Sequence, residues 1–450
     1  MTPIKTFFLL SLIFPCLQPA AQEEKKTNDL IKKGWNLGAL PALTYDADLG
    51  IQYGAFANLY HYGDGNRYPE YNHSFYLEIS RYTKGSAVYR FNYDSDRLIR
   101  GIRISTDLSF LTDQAYDFYG FNGFDAVYNR NWTEDNNPSY KSRMFYKYDR
   151  KLFRFKIDLQ GKIGQKNLKW IAGMNFLSFN IGSVDIQKLN KGKKEKDKLP
   201  DIDGLYDKYI QWGIIPENEA DGGFVPTLKA GFVIDTRDNR PNPMNGIWTE
   251  AVILVSPKIF GAENSFSKIS FTHREYFTII PRNLSTAIRI GWQTTCTGQV
   301  PFYYENQVIT SIMKGSTSEG LGGSKTLRGV MRNRVVGDGI LYGNLELRWK
   351  FTRFRWHNNN FYLGMNGFGD FGKVTKKISA NVNSEAFKED SADENRQDYF
   401  HKGAEKMHFS FGSGLRVAMN ENFIVAFDYG IAADSRDGDS GLYMGLNYLF

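Results

Sequence analysis

Hydrophobic and polar positions alternate with a period of two along many segments of about ten residues. In 151–160, apolar side chains occupy one face and charged or amide side chains occupy the other. The same division runs through 102–110, 284–292 and 343–351. A soluble β-sandwich also alternates, but strands this long that end in Tyr, Trp and Phe favour lipid outside and water or packed polar groups inside.

Counting such segments back from Phe450 predicts sixteen strands. The connections between these strands fall into two alternating classes. One class consists mostly of short turns, and the other contains every long segment. The predicted strands are 36–44, 49–60, 73–83, 86–95, 99–111, 149–161, 168–182, 226–236, 246–256, 266–280, 284–296, 342–352, 360–370, 406–418, 422–430 and 440–450. The long connections are 112–148, 183–225, 297–341 and 371–405. This layout predicts an all-β protein, a 16-stranded antiparallel transmembrane β-barrel with short periplasmic turns and long outer loops.

Composition agrees with a barrel and excludes other classes. The 450 residues include 27 Tyr, 34 Phe and 8 Trp, and the mean hydropathy is −0.45. No uncharged apolar run approaches the roughly 20 residues of a transmembrane helix. The net charge of +7 is mild and forms no clustered basic motif, so nucleic acid is not an expected partner. We expect many of the aromatic side chains on the lipid face of the barrel and at its interfaces.

The first residues have the layout of a secretory signal. Lys5 precedes an apolar run, and a small-residue stretch ending at Ala21 precedes a polar segment. The predicted organisation is therefore a signal peptide over 1–21, a short periplasmic segment over 22–35 and the barrel over 36–450. Cys16 would leave with the signal, so Cys296 would have no intramolecular disulfide partner.

The last predicted strand places its apolar residues, including Tyr448 and Phe450, on one face, with Gly445 five positions before the end. This spacing resembles the C-terminal β-signal that the barrel-assembly machinery recognises. The resemblance implies that Gly445, Tyr448 and Phe450 act as that signal.

A glycine-rich motif lies in the late loop 297–341. It reads Gly322-Gly323-Ser324-Lys325-Thr326-Leu327-Arg328-Gly329. A phosphate-binding loop is a poor interpretation, because Ser324 interrupts the pattern and no strand, loop and helix surround it. In a plain outer loop, the glycines would simply provide positive φ angles. Two later strands carry Glu346 and, within 367–372, Asp370.

The combination resembles the superfamily of BamA, TamA and two-partner secretion transporters, also described as the bacterial surface antigen family. That resemblance implies a long outer loop that folds back into the barrel and presents an Arg-Gly tip to an inner-wall Asp. The tip matches Gly322, Gly323, Leu327, Arg328 and Gly329, and the wall residue matches Asp370. Alternation independently points Glu346 inward, so either carboxylate could pair with Arg328.

The resemblance also implies a barrel-only member without the periplasmic POTRA repeats, which helps proteins or lipids enter or cross the outer membrane. We expect a weak seam between the first and last strands, because Pro41 removes a ladder donor and Gly38 and Gly441 lower strand stability. Outer-membrane lipids, lipopolysaccharide and other outer-membrane or periplasmic proteins are the expected partners.

Two other function classes stay open at this stage. A passive, porin-like channel would use inward charges of both signs. These are Arg103, Asp107, Arg154, Lys156, Asp158, Arg289, Glu346, Arg348 and Lys350. An enzyme is the less favoured class, because the six His show no metal-ligand spacing and the one pair of interest, His408 and Ser410, lacks a positioned third group. We therefore predict no catalysis, no cofactor and no metal.

Overall fold

The structure, a computed structural model, describes residues 30–46, 50–83, 85–164, 167–311, 319–390 and 395–450. They contain one antiparallel sheet in which each of sixteen strands pairs with the next along the chain. The strands are β1 (Trp35–Asp46), β2 (Gly50–His61), β3 (His73–Tyr82), β4 (Ala87–Ile99), β5 (Ile102–Asp117), β6 (Lys147–Lys162), β7 (Leu168–Gly182), β8 (Gly222–Asp235), β9 (Gly246–Ser256), β10 (Phe266–Ile280), β11 (Leu284–Gly298), β12 (Gly339–Trp356), β13 (Asn359–Lys376), β14 (His408–Met419), β15 (Phe423–Ala432) and β16 (Ser440–Leu446). The predicted sixteen antiparallel strands are confirmed, and β1 and β16 form the two edges of the sheet.

The two faces of the strands follow the predicted alternation. On β12, Leu345, Leu347 and Trp349 are 48 to 53% exposed, whereas Glu346 and Arg348 between them are buried. Because successive side chains of a strand point to opposite faces, the apolar set meets lipid and the charged set meets the lumen.

The four long connections, 118–146, 183–221, 299–338 and 377–407, all leave the same end of the sheet. They carry the α-helices α1 (Ile186–Asn190), α2 (Leu205–Gln211), α3 (Phe302–Glu305) and α4 (Ser384–Asp390). Among the described residues, no helix has the length and apolar character needed to cross a bilayer.

These four connections pack against one another and bury a large aromatic cluster, here called the cap. Its members include Phe118, Phe121, Trp132, Tyr146, Tyr206, Tyr209, Trp212, Phe302, Tyr303, Phe387 and Tyr399. Burial raises the pKa of the Glu219 carboxyl, which accepts a hydrogen bond from the Phe302 N–H at 2.8 Å. The expected lipid-facing placement of aromatics holds on the wall, as at Phe409 and Phe411. The cap aromatics do not share this placement, because loop residues from distant parts of the chain bury each other without any local period.

The strands β12 and β13 are longer than predicted and end in a two-residue turn. Their pairing continues to Trp356 and Asn359. The turn residues His357 and Asn358 have φ angles of 41° and 60°, as a tight hairpin turn of this kind requires. Pairing of β11 with β12 ends at Trp349, so the β12–β13 hairpin projects beyond its neighbour at the periplasmic end.

The last predicted strand is shorter than expected. Pairing of β16 with β15 ends at Leu446, and Asn447 adopts a φ of 67°. Asn tolerates this left-handed conformation better than most residues. Tyr448, Leu449 and Phe450 are buried, so the prediction of one continuous lipid-facing strand to Phe450 is wrong. The chain bends because inward aromatic contacts replace strand pairing over these residues.

The predicted signal peptide 1–21 and most of the segment 22–35 lie outside the described residues. Residues 30–34, here called the strap, run from β1 to the β12–β13 hairpin. The Leu30 N–H donates to Asn360 Oδ1, and Asn360 Nδ2 donates to Leu30 O, both at 3.0 Å. Lys32 Nζ donates to Asn359 Oδ1 at 2.9 Å. The strap therefore joins β1, on one side of the gap between the two sheet edges, to β13, on the other side of that gap.

Candidate functional site

The connection 299–338 is here called the lumen loop, and its described residues, 299–311 and 319–338, fold back inside the barrel. Its tip turns at Gly322, Gly323 and Gly329, all with positive φ angles. The Thr326 hydroxyl accepts from the Gly322 N–H at 2.8 Å and closes this turn. A small apolar cluster holds the tip against the wall, and it contains Val308, Leu321, Leu327, Val330, Val335, Ile340, Tyr342 and Val374.

Arg328 lies at the centre of the tip, and its side chain is fully buried. Its Nε and Nη2 donate to Asp370 at 2.9 Å each, and its backbone N–H donates to Asp370 Oδ2 at 3.0 Å. Nη1 donates to Glu346 at 2.6 Å. The sequence left either carboxylate open as the partner, and the structure brings both to the guanidinium. This arrangement offsets the cost of desolvating three charged groups.

Two further contacts to Arg328 were missed from the sequence. Asp428 on β15 has an oxygen 3.7 Å from Nη1. The guanidinium carbon also lies 3.5 Å from the centre of the Phe368 ring. The signal for Asp428 was present, since Phe427 and Tyr429 beside it face lipid and the alternation turns Asp428 inward.

The tip also touches the last two strands directly. The Gly329 N–H donates to the Tyr443 hydroxyl of β16 at 3.0 Å. A Cβ on Gly430 of β15 would lie 2.5 Å from the Arg328 carbonyl carbon. A Cβ on Gly441 of β16 would lie 2.2 Å from the Tyr443 hydroxyl. The paired glycines Gly430 and Gly441 therefore make room for the loop tip and for the tyrosine that contacts it.

The residues after β16 belong to the same polar network. Glu346 accepts from Arg348 Nε at 2.7 Å, and Arg348 Nη2 donates to the Phe450 carbonyl at 2.9 Å. The Arg348 guanidinium also lies 4.4 Å from the Tyr448 ring centre. Of the predicted β-signal residues, Gly445 is in β16 opposite Ala426, while Tyr448 and Phe450 are in the lumen.

The gap between β1 and β16, here called the seam, has no ladder across it within the described residues. Gly38 and Pro41 both lie on β1, and Pro41 is opposite Ala55 of β2. A Cβ on Gly38 would lie 2.5 Å from the Phe423 ring of β15. Close packing thus takes the place of strand pairing at the periplasmic half of the seam.

Side-chain hydrogen bonds add to this closure. The Tyr60 hydroxyl donates to the Asn422 carbonyl, and Asn422 Nδ2 donates to the Tyr62 hydroxyl, both at 2.9 Å. A cavity of about 200 Å³ opens beside the seam, lined by Glu78, Arg90, Lys325, Asp428 and Tyr443 among others. The cavity beside the seam therefore has charged lumen groups among its apolar lining residues.

Most of the predicted lumen charges are buried in ion pairs. Arg103 pairs with Asp94, Arg154 with Asp107, Lys229 with Asp158, Lys350 with Glu421 and Arg416 with Asp428. Arg289 donates instead to Asn344 at 2.8 Å and to the carbonyl of Lys325 at 2.9 Å. The lumen is therefore more constricted than the predicted inward charges alone indicated, because these ion pairs and the loop tip lie inside it.

The residues considered for catalysis are occupied otherwise. His408 contacts Asp437 through Nδ1 at 2.7 Å and Glu405 through Nε2 at 3.2 Å. Neither ring nitrogen is engaged with Ser410. In the part of the chain that the structure describes, no group of three or more His, Cys, Asp or Glu side chains is placed to hold a metal ion.

Comparison with known proteins identifies the family. The model of the Omp85 superfamily domain matches residues 89–450. The chain belongs to the Omp85 superfamily. It is accordingly a bacterial outer-membrane β-barrel, and the resemblance to this superfamily found in the loop motif is confirmed. Members of this family are in general not enzymes. The matched range begins within β4, so Gly38 and Pro41 lie outside it.

Two solved structures resemble this chain. CdiB from Escherichia coli is 9% identical, with a TM-score of 0.52, and the match covers 92% of this chain and 62% of that one. BamA from Haemophilus ducreyi lacking POTRA domains 1–3 is 13% identical, with a TM-score of 0.47, over 92% of this chain and 69% of that one. The likeness to CdiB concerns the fold alone. A search of curated proteins gives no match.

Proposed function

We propose that this Omp85 barrel assists the insertion or transport of proteins or lipids at the outer membrane by opening its seam while the lumen loop stays fixed. The observation that carries the proposal is the seam itself. The edge strands β1 and β16 have no ladder between them in the described chain, and residues 447–450 turn into the lumen. Unpaired strand edges are templates for pairing with another strand.

The lumen loop supports the proposal as the fixed counterpart of the seam. The roles proposed for Gly322, Gly323, Leu327 and Gly329 are to shape the tip, and Arg328 fastens it to Glu346 and Asp370. Gly38, Pro41 and Gly441 are proposed as seam residues, and Gly445, Tyr448 and Phe450 as the recognition signal for barrel assembly. The proposed partners are outer-membrane lipids, lipopolysaccharide and other outer-membrane or periplasmic proteins, and no chemical step or cofactor is part of the proposal.

A disulfide across the seam tests this function. A Cβ on Gly38 comes so close to the Phe423 ring that Gly38→Cys with Phe423→Cys, in a Cys296→Ser background, lies within disulfide range. The matched control is Phe155→Cys with Phe176→Cys, which joins paired positions of β6 and β7 away from the seam. The outer-membrane proteome and lipid asymmetry are measured in cells with and without the chain.

We expect the oxidised seam variant to reproduce the phenotype of cells that lack the chain, and reduction to restore the wild-type state. The control disulfide should have no effect in either state. Wild-type behaviour of the oxidised seam variant would exclude seam opening. The absence of any proteome or lipid change on deletion would instead favour the passive channel, against which the paired lumen charges and the cap argue.

A further inference from the structure

The cavity of about 200 Å³ beside the seam, here called the seam cavity, is bounded by both sides of the gap. Its walls come from β2 to β5 on one side and from β15, β16 and residues 447–449 on the other. The tip of the lumen loop adds Ser324 and Lys325. A single water molecule needs only about 10–15 Å³ of such a cavity, so there is room for a group of the size of a glycerol phosphate.

Two cationic side chains line the seam cavity without a hydrogen-bond partner in the described chain. Arg90 lies opposite Glu78 on the neighbouring strand, but its Nη1 stays 3.7 Å from the Glu78 carboxylate. The buried Nε of Arg90 has no partner among the described residues. The Lys325 ammonium likewise forms neither an ion pair nor a hydrogen bond with any of them. These two groups therefore keep charged donors for an anion.

The backbone around Lys325 is held firmly. Arg289 donates to the Lys325 carbonyl at 2.9 Å, and Asn344 Nδ2 donates to the Thr326 carbonyl at 2.6 Å. Arg328, three residues further on, is ion-paired with the barrel wall. Because the tip is fixed in this way, binding a ligand through Lys325 requires little ordering of the loop.

The carboxylates of the seam cavity do not cancel its positive charge. Asp107 accepts two hydrogen bonds from Arg154, and Asp428 accepts two from Arg416. Glu78 is the remaining carboxylate among the described lining residues, and it faces two cations. The cavity therefore has an excess of one positive charge, which favours an anionic ligand.

The seam cavity also reaches the lipid-facing side of β16. The Tyr443 hydroxyl lies in the lumen against the loop tip, whereas the next residue, Met444, is 49% exposed on the lipid-facing side, and both residues line the cavity. Phe56 and Leu446 add apolar lining. A charged end in the lumen and an apolar end beside the lipid match a phospholipid better than a free phosphate, which has no apolar part.

We propose that the seam cavity binds the phosphate group of a phospholipid. Lys325 and Arg90 donate hydrogen bonds to the phosphate oxygens, and the exposed Ser324 hydroxyl is a further donor. The glycerol and the first acyl carbons lie against Met444 and Leu446. The glycine-rich motif thus acts through two side chains, without the backbone cradle of a nucleotide-binding loop. The inference rests on the proposed function for the fate of the lipid, whereas the binding itself needs no seam opening.

Binding of short-chain lipids to the purified full-length chain in an uncharged maltoside detergent tests the proposal. Isothermal titration calorimetry compares dioctanoyl phosphatidylglycerol with dioctanoylglycerol, which lacks the phosphate, and with glycerol 3-phosphate, which lacks the acyl chains. The variants are Lys325→Gln, Arg90→Gln and the two combined. The matched control is Lys156→Gln, which removes a predicted lumen cation of β6 that does not line the cavity. Heat-modifiable gel migration checks that each variant is folded.

We expect the double variant to bind dioctanoyl phosphatidylglycerol at least about tenfold more weakly than the wild type, because two charge-assisted hydrogen bonds are lost. Each single variant should weaken binding about threefold or more, and the loop variant Lys325→Gln decides the test if Arg90→Gln does not fold. Lys156→Gln should change the affinity by less than about twofold, since its charge is more distant and screened.

Unchanged affinity in the Lys325 and Arg90 variants would overturn the proposal, as would equal binding of dioctanoylglycerol. Equal affinities for glycerol 3-phosphate and dioctanoyl phosphatidylglycerol would overturn the lipid as ligand and identify a soluble phosphate ester instead. The measurement uses the purified chain, so its failure would not affect the seam disulfide test in cells. Failure of that test would equally leave the binding result standing.

Discussion

Arg328 of the lumen loop meets three carboxylates inside the barrel, whereas β1 and β16 at the nearby seam form no ladder with each other in the described chain. The first region is fixed by buried charge, which is costly to separate. The second is closed by ring packing and by hydrogen bonds of Tyr60 and Asn422, each worth only about 1 kcal/mol. The contrast indicates that the most firmly held part of the barrel, the Arg328 contacts, lies beside the least firmly held part, the seam.

The largest expected effect comes from Arg328→Ala. The substitution removes the guanidinium that donates two side-chain hydrogen bonds to Asp370. It also removes one of the two arginines that donate to Glu346. We expect the free energy of unfolding to fall by about 3–5 kcal/mol in urea titrations of the reconstituted protein. Planar-bilayer conductance should rise or become unsteady as the tip leaves the wall.

The control for this variant is Arg97→Ala, because the Arg97 side chain is 55% exposed at the periplasmic end. We expect it to change stability by no more than about 0.5 kcal/mol. A large, steady conductance already present in the wild type would contradict the fixed lumen loop and favour a porin.

A smaller effect is expected from Gly430→Ala. The new methyl group would collide with the Arg328 backbone, and relief requires a shift of β15 or of the loop tip. Overpacking of this kind costs about 1–3 kcal/mol. The matched control is Gly369→Ala, whose Cβ meets no atom within 4 Å. Equal stability of the two variants, measured by the same urea titration, would show that the tip does not rest on β15.

The smallest effect is expected from Asn360→Ala at the strap. It removes two hydrogen bonds to Leu30, which are worth about 1 kcal/mol each at most because that site is partly exposed. Global stability should hardly change. Hydrogen exchange of the amides in 30–34 should quicken, while exchange in the cap stays as in the wild type. Unchanged exchange in 30–34 would mean that the strap is held by other contacts.

The sequence predicted those parts of the fold that follow a local period. Alternation along β6 and β12 is enough to assign the lipid-facing and lumen-facing side chains, because each strand has lipid on one side and polar groups on the other. Arg328, Asp370 and Glu346 could be nominated because the motif and the alternation converge on them. That both carboxylates contact Arg328 depends on the relative heights of two strands, which no local pattern encodes.

The cap and residues 447–450 could not be predicted for a related reason. Tyr209 and Trp212 come from one connection and Phe387 from another far along the chain, and they are buried by the packing of these connections. The apolar residues of 440–450 alternate as a strand would, yet Tyr448 and Phe450 pack on Arg348. A period-two pattern therefore indicates strand pairing, but tertiary contacts can override that pairing.

Tyr443 belongs to both regions of the comparison. It is a residue of β16, and its hydroxyl accepts a hydrogen bond from the Gly329 N–H at the loop tip, while Gly441 leaves space for its ring. An outward displacement of β16 would withdraw this acceptor and leave the Gly329 amide without it. Tyr443 thus links the position of the edge strand β16 to the backbone of Gly329, the residue next to Arg328.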